Sequence, residues 1–245
     1  MPFITAGDPS LKATGELIKT FDALGCHICE IGIPYSDPIA DGPVIQASYT
    51  RALDRGITVE SILGTLADVN PGVSLPTVTM VSYAIVYRIG VEKYIDQAMA
   101  AGVSGIIVPD LPVDESEALS KICRAKDFSL IQLVTPTTSR DRAKKIIETT
   151  SGFIYYVSVT GITGERNDLP PDIIENVEWL RENGDLPVCI GFGISEPKHV
   201  SQLAPHSDGL IVGSAIVRRI AAGSENEQEM VDSVAAYIKE MLAAI

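Results

Sequence analysis

The sequence predicts a closed barrel of eight parallel strands, each followed by helix, in one domain spanning residues 1–245: a (β/α)8 architecture. Three observations carry that expectation. Apolar runs and amphipathic helical stretches alternate eight times along the 245 residues. The runs are short, rich in Val and Ile, and apolar on both faces, as parallel strands covered on both sides should be. No linker, low-complexity tract or shift in composition divides the chain, whose length is usual for one such barrel. A doubly wound open sheet normally has fewer strands and fits the even alternation less well.

Each unit has its own signals. "PFITAG" reads as the first strand, with a helix starting near Asp8 or Pro9. "HICEIGI" is the second, followed by helical residues 42–55 and 58–69. "PTVTMVS" precedes a helix from Val91 to Ala101, "GIIVPD" one from Asp114 to Lys126, and "LIQLV" one from Ser139 to Thr149. "FIYYVS" precedes Pro171 to Glu182, "LPVCIGFG" precedes Glu196 to Leu203, and "DGLIVGS" precedes a short and a long final helix. Asp8-Pro9, Asp114, Ser139, Pro170-Pro171 and Ser195 suit helix N-termini, where short polar side chains or proline meet unpaired N–H groups.

The bulk composition excludes several functions. A formal charge of −13 repels nucleic acid and anionic membranes. No apolar run approaches the roughly 20 residues that span a bilayer, and "MPFITAGDPS" lacks the features of a secretory signal. Four sparse cysteines fit a reduced, cytoplasmic chain. Cys26 and Cys29 would point to opposite faces of a strand, and no second ligand pair completes a zinc set.

Chemistry in such barrels sits at the C-terminal ends of the strands. In strand two, Ile28, Glu30 and Gly32 share one face, and Cys29, Ile31 and Ile33 share the other. The second set is uniformly apolar and suits the helices, so Glu30 points inward. A carboxylate there is costly when ionised, so burial should raise its pKa and let it trade protons near neutrality. In the following "PYSDPIADGP", spacing alone does not choose between Asp37 and Asp41, either of which could simply hold a turn. Asp110 closes strand four, where a capping role and a place at the site fit equally.

Three glycine clusters follow the last three strands: Gly161 and Gly164, Gly191 and Gly193, and Gly213 with Ser214. Backbone N–H groups approach a phosphate closely where no side chain intervenes, and the loops after strands seven and eight are a common phosphate site in this fold. Gly191-Phe192-Gly193 is not a dinucleotide fingerprint, because position 196 is glutamate. Residues 161–170 form a polar loop with glycine hinges, a candidate lid. Every lysine falls in a predicted helix or at its end, which removes a strand-borne Schiff-base lysine. Histidines are too few and too scattered for a metal-assisted aldolase. Acid–base chemistry by carboxylates on a phosphate-bearing substrate remains.

"PFITAGDP", "EIGIPYSDPIADGPVIQ", "VPDLP", "GFIYYVS", "TGITGER", "GFGIS" and "DGLIVGSAIV" resemble the tryptophan synthase alpha subunit family, and the likeness runs along the whole chain. The resemblance implies a lyase that cleaves indole-3-glycerol phosphate to indole and glyceraldehyde 3-phosphate. It implies no cofactor in this chain and a beta subunit bearing PLP, joined in an α2β2 assembly. By the same resemblance Glu30 matches the general acid–base, and Asp41, rather than Asp37, the carboxylate that binds the indole N–H. Phe3, Ile45, Met80, Ile107 and Phe192 match the apolar indole pocket, and Tyr155 a tyrosine beside it. Thr163 matches the lid threonine that meets Asp41, with Gly161 in the same loop. Gly164, Gly193, Gly213 and Ser214 match the phosphate cradle. Ser82 and Ala84 stand where the family often has tyrosine and asparagine, on a segment facing the beta subunit. The chain starts almost at strand one, whereas many relatives carry a further N-terminal helix. A stand-alone lyase would share every catalytic residue, and a non-catalytic regulator would not need Glu30 and Asp41. Isomerases on related phosphate-binding barrels need aspartates on strands one and five, and "PFITAG" and "LIQLV" have none.

Overall fold

A computed structural model describes residues 1–38, 41–157, 171–191 and 193–245. Eight strands run in chain order around one parallel sheet: β1 Phe3–Thr5, β2 Cys29–Gly32, β3 Thr77–Met80, β4 Val103–Ile107, β5 Ser129–Val134, β6 Ile154–Val157, β7 Val188–Gly191 and β8 Gly209–Ile211. The ring closes where Phe3 N–H donates to Val212 O at 2.9 Å and Val212 N–H to Met1 O at 2.9 Å. The predicted architecture is therefore the observed one.

Helices cover the outside: α1 Leu11–Ala23, α2 Pro43–Asp54, α3 Val59–Val69, α4 Tyr83–Ile89, α5 Val91–Ala100, α6 Glu117–Ala125, α7 Arg140–Thr149, α8 Pro171–Asn183, α9 Pro197–Leu203, α10 Ser214–Ala222 and α11 Glu227–Leu242. The main core lies between strands and helices and takes Ile4, Cys29, Ile31, Ile33, Ile106, Leu130 and Ile190 from the strands and the loop following β2. A smaller core fills the barrel with Val78, Ile107, Ile131, Tyr155, Cys189 and Ile211. That partition is the period-two alternation of each strand. It puts Cys29, Ile31 and Ile33 outward, as expected.

Several boundaries differ from expectation, for local reasons. The first helix begins at Leu11 and not at Asp8 or Pro9, because the Ser10 hydroxyl caps it by accepting from Ala13 N–H at 3.0 Å. Asp8 is instead buried against Arg51. Helix α4 was not expected; Gly90, with φ of 97°, separates it from α5 in a conformation a side chain resists. Asp114 falls in a 3-10 turn, Val113–Glu115, ahead of α6. Ser139 caps α7 as expected. Ser195 does not cap α9, whose N-cap is Glu196, but gives its N–H to His199 Nδ1 at 3.3 Å. His27 precedes β2 rather than starting it.

Candidate active site

The barrel register builds the site. Phe3 on β1 lies beside Glu30, Glu30 beside Val78, Gly32 beside Met80, and Met80 beside Ile107. Glu30 thus enters the interior one step below the C-terminal end of β2. It is fully buried, and among the described residues neither carboxylate oxygen has a hydrogen-bond partner. Burial pushes its pKa up to about 8, against an opposing pull from the N-terminal ammonium. Near neutrality the group therefore holds its proton and can give it up.

Above it, Gly32 makes room. A Cβ there would stand 2.6 Å from the Phe3 ring and 2.9 Å from the Tyr49 hydroxyl. Phe3, Ile45, Tyr49 and Val217 pack as one apolar cluster with Met80 against it. Met80 also borders the barrel interior that holds Ile107 and Tyr155. Helix α2 brings Ile45 to this wall. The Thr5 and Ser48 hydroxyls lie 2.6 Å apart, and Arg51 grips Asp8 through Nε at 3.0 Å and Nη2 at 2.6 Å, so the helix is fastened to the loop after β1. Gly191 plays the matching part for Tyr155, since a Cβ there would meet its ring at 2.5 Å. The Tyr155 phenol is pushed up by burial and then by the charge of Glu30 and Asp41, which places it in the field of both carboxylates.

Geometry separates the two loop aspartates. Asp37 is exposed and accepts the Ser36 hydroxyl at 2.6 Å. Asp41 is half-buried, and its pKa is raised to about 6 by burial, with a lowering contribution from the Tyr35 hydroxyl and a raising one from Asp110. Asp110 accepts the Ser82 hydroxyl at 2.7 Å and Tyr83 N–H at 2.8 Å. It therefore caps α4 rather than the helix that follows it, while its charge still reaches Asp41. Tyr35 and Tyr49 were missed in the sequence. Their signal was weak: one is a loop tyrosine six residues before Asp41, the other a core-facing tyrosine on a helix.

Gly193, with φ of 79°, follows β7, and Gly213 is the N-cap of α10, whose first residue is Ser214. The first N–H groups of a helix lack intrahelical acceptors and favour anions. Gly161, Thr163, Gly164 and Phe192 lie outside the described residues. All nine lysines sit in helices or, for Lys126, at a helix C-cap. The arrangement offers a protonated interior acid, an ionisable partner at its mouth, an apolar wall for a flat ring, and helix-end N–H groups for an anion.

A cavity of about 490 Å³ lies at the opposite end of the barrel, lined by Met1, Ile28, Phe153, Cys189, Leu210 and Met241 among others. It contains none of the candidate residues.

Comparison with known proteins follows the same lines. A family model described as tryptophan synthase alpha chain matches residues 1–245. The chain is 62% identical over 228 residues to the tryptophan synthase alpha chain of Rhodopirellula baltica, covering 92% of this chain and 82% of that one. It is 42% identical over 246 residues to that of Rippkaea orientalis, covering 100% and 91%. Among solved structures it resembles a chain of the tryptophan synthase α2β2 complex of Pyrococcus furiosus, with TM-score 0.92, 35% identity, and coverage of 99% and 96%. The alpha subunit of Legionella pneumophila gives TM-score 0.91 at 32% identity, covering 100% and 91%.

Proposed function

The chain belongs to the tryptophan synthase alpha chain family, and on that premise we propose that Glu30 and Asp41 carry out its carbon–carbon cleavage. The enzyme is a lyase that converts indole-3-glycerol phosphate to indole and glyceraldehyde 3-phosphate. Protonated Glu30 gives its proton to indole C3. The ring becomes a cation, and ionised Asp41 stabilises it at the indole N–H. The Glu30 carboxylate then takes the proton of the hydroxyl on the adjacent side-chain carbon. The carbon–carbon bond breaks, its electron pair returns to the ring, and the alkoxide carbon becomes the aldehyde. Glu30 ends protonated, ready for the next turnover. No other acid or base is required.

Phe3, Ile45, Met80, Ile107, Tyr155 and Phe192 would hold the indole. Gly164, Gly193, Gly213 and Ser214 would hold the phosphate, and Thr163 would close over Asp41. We further propose a single domain acting in the cytoplasm with a PLP-bearing beta subunit, in the α2β2 form named for the Pyrococcus furiosus complex. No described helix is long and apolar enough to cross a membrane. The observation that most supports the chemistry is Glu30: buried, unpartnered among the described residues, and raised to about 8. Such a group is expensive for a fold and useful to a reaction.

The test is indole release from indole-3-glycerol phosphate by the purified chain, alone and with a beta subunit. Slow release that accelerates with the partner is expected. Fast release alone would indicate a free-standing lyase, and no release from a folded chain in either condition would leave only a regulatory role.

A further inference from the structure

The cleavage proposed above needs an Asp41 carboxylate aimed at the indole nitrogen, and the loop that carries it supplies little to aim it. The backbone of Asp41 is well held: its N–H donates to Pro38 O at 3.2 Å, and Gln46 Nε2 donates to its carbonyl at 2.7 Å. The carboxylate is different. Among the described residues, the one hydrogen bond it accepts is from the Tyr35 hydroxyl to Oδ2 at 3.5 Å. Resting on the assignment of Asp41 to the reaction, we propose that Tyr35 is a positioning residue that orients and sustains the Asp41 carboxylate through its phenol.

The ring of Tyr35 is itself supported. It packs on Tyr49 with centroids 5.6 Å apart and planes inclined by 49°. Tyr49 is 1% exposed, and its hydroxyl lies against Gly32, the strand end next to Glu30. A continuous set of contacts, Gly32–Tyr49–Tyr35–Asp41, therefore ties one carboxylate's strand to the other carboxylate. A phenylalanine at 35 would fill the same space and make the same ring contact. Only the hydroxyl reaches Asp41, so the choice of tyrosine has a polar purpose.

The charged and titratable groups sharing this space are Asp110 from the loop after β4, Tyr49 from α2, Tyr155 from β6 and Glu30 from β2. Asp110 and burial both oppose ionisation of Asp41, and the Tyr35 hydroxyl favours it. A bond of 3.5 Å is long for a phenol–carboxylate pair. Catalytic hydrogen bonds often tighten when substrate fills the site.

The experiment compares wild type, Tyr35→Phe, Asp41→Asn and the double variant in cleavage of indole-3-glycerol phosphate across pH, with melting curves to show that each is folded. Tyr35→Phe should lower kcat about three- to tenfold, the scale of one ordinary hydrogen bond, as suits a contact of this length, with KM little changed. The acid limb of kcat/KM should move to higher pH, because a bond to the ionised form is gone. In the Asp41→Asn background the same change should cost almost nothing further, since paired residues are not additive. Wild-type kcat and acid limb in Tyr35→Phe, beside a crippled Asp41→Asn, would overturn the proposal and leave the role of Asp41 intact. Loss confined to KM would overturn it too. Asp41→Asn at wild-type rate would instead remove the premise.

Discussion

A buried carboxyl without a hydrogen-bond partner is tolerated in a fold only while it keeps its proton. Glu30 meets that condition at neutral pH, since burial holds its pKa at about 8. Asp41, at about 6, is mostly ionised at the same pH. The proposed chemistry uses both states: a proton on one, a charge on the other. The pH dependence of kcat/KM should therefore be bell-shaped, rising as Asp41 ionises near 6 and falling as Glu30 loses its proton near 8. Asp41→Asn should remove the acid limb and cost at least about 100-fold in turnover, as a lost electrostatic group would. A monotonic profile, or a loss in KM only, would contradict the assignment. The inward direction of Glu30 was legible in sequence because strand alternation leaves two faces and only one was apolar throughout. The choice of Asp41 over Asp37 was not legible from spacing. It depends on which aspartate the folded loop buries, and Tyr35, whose hydroxyl meets Asp41, carries no signal of its own.

At the scale of elements, helix α2 matters most to the site, because it carries Ile45 and Tyr49. Its fastening is the Asp8–Arg51 pair, in which Asp8 is 1% exposed and the Arg51 side chain is 33% exposed. Removing the guanidinium leaves a buried carboxylate whose one remaining cation among the described residues is Arg55 at 3.9 Å. Arg51→Ala should cost about 2–4 kcal/mol of stability, toward the lower end of the range for breaking a buried pair because one partner is partly in water. Chemical denaturation would measure it, and a change under about 0.5 kcal/mol would mean the pair is no different from a surface one. Asp8-Pro9 reads as a helix start, yet the next residue but one, Ser10, takes that role and frees Asp8 for a partner 43 positions away. Local capping rules cannot see a long-range ion pair. Helix α4 was missed because "SYAIVYRIG" continues an apolar strand pattern, and its start is set by Ser82 and by Asp110 from a different unit.

Eight alternations of strand and helix are a strong signal, because each strand must be covered on both faces and a ring of eight leaves no open edge. The order of strands around the sheet follows the chain with no crossover to guess. The strand contributions to the outer and inner cores then follow from which face each strand residue occupies, and helices α2 and α10 complete the cluster around Phe3. The fold was therefore readable almost entirely from periodicity, and the place of the chemistry from the fold. The proposed residue roles rest mainly on family resemblance, since aspartates and glycines have many bland uses in loops. Proton transfer by Glu30 is tested by indole release from Glu30→Gln, measured with a beta subunit present and with circular dichroism on the same sample. Glutamine keeps the shape and the buried position but cannot exchange a proton. The expected result is a folded protein with cleavage abolished. A folded variant that cleaves at a rate near wild type would show that the proton comes from somewhere else.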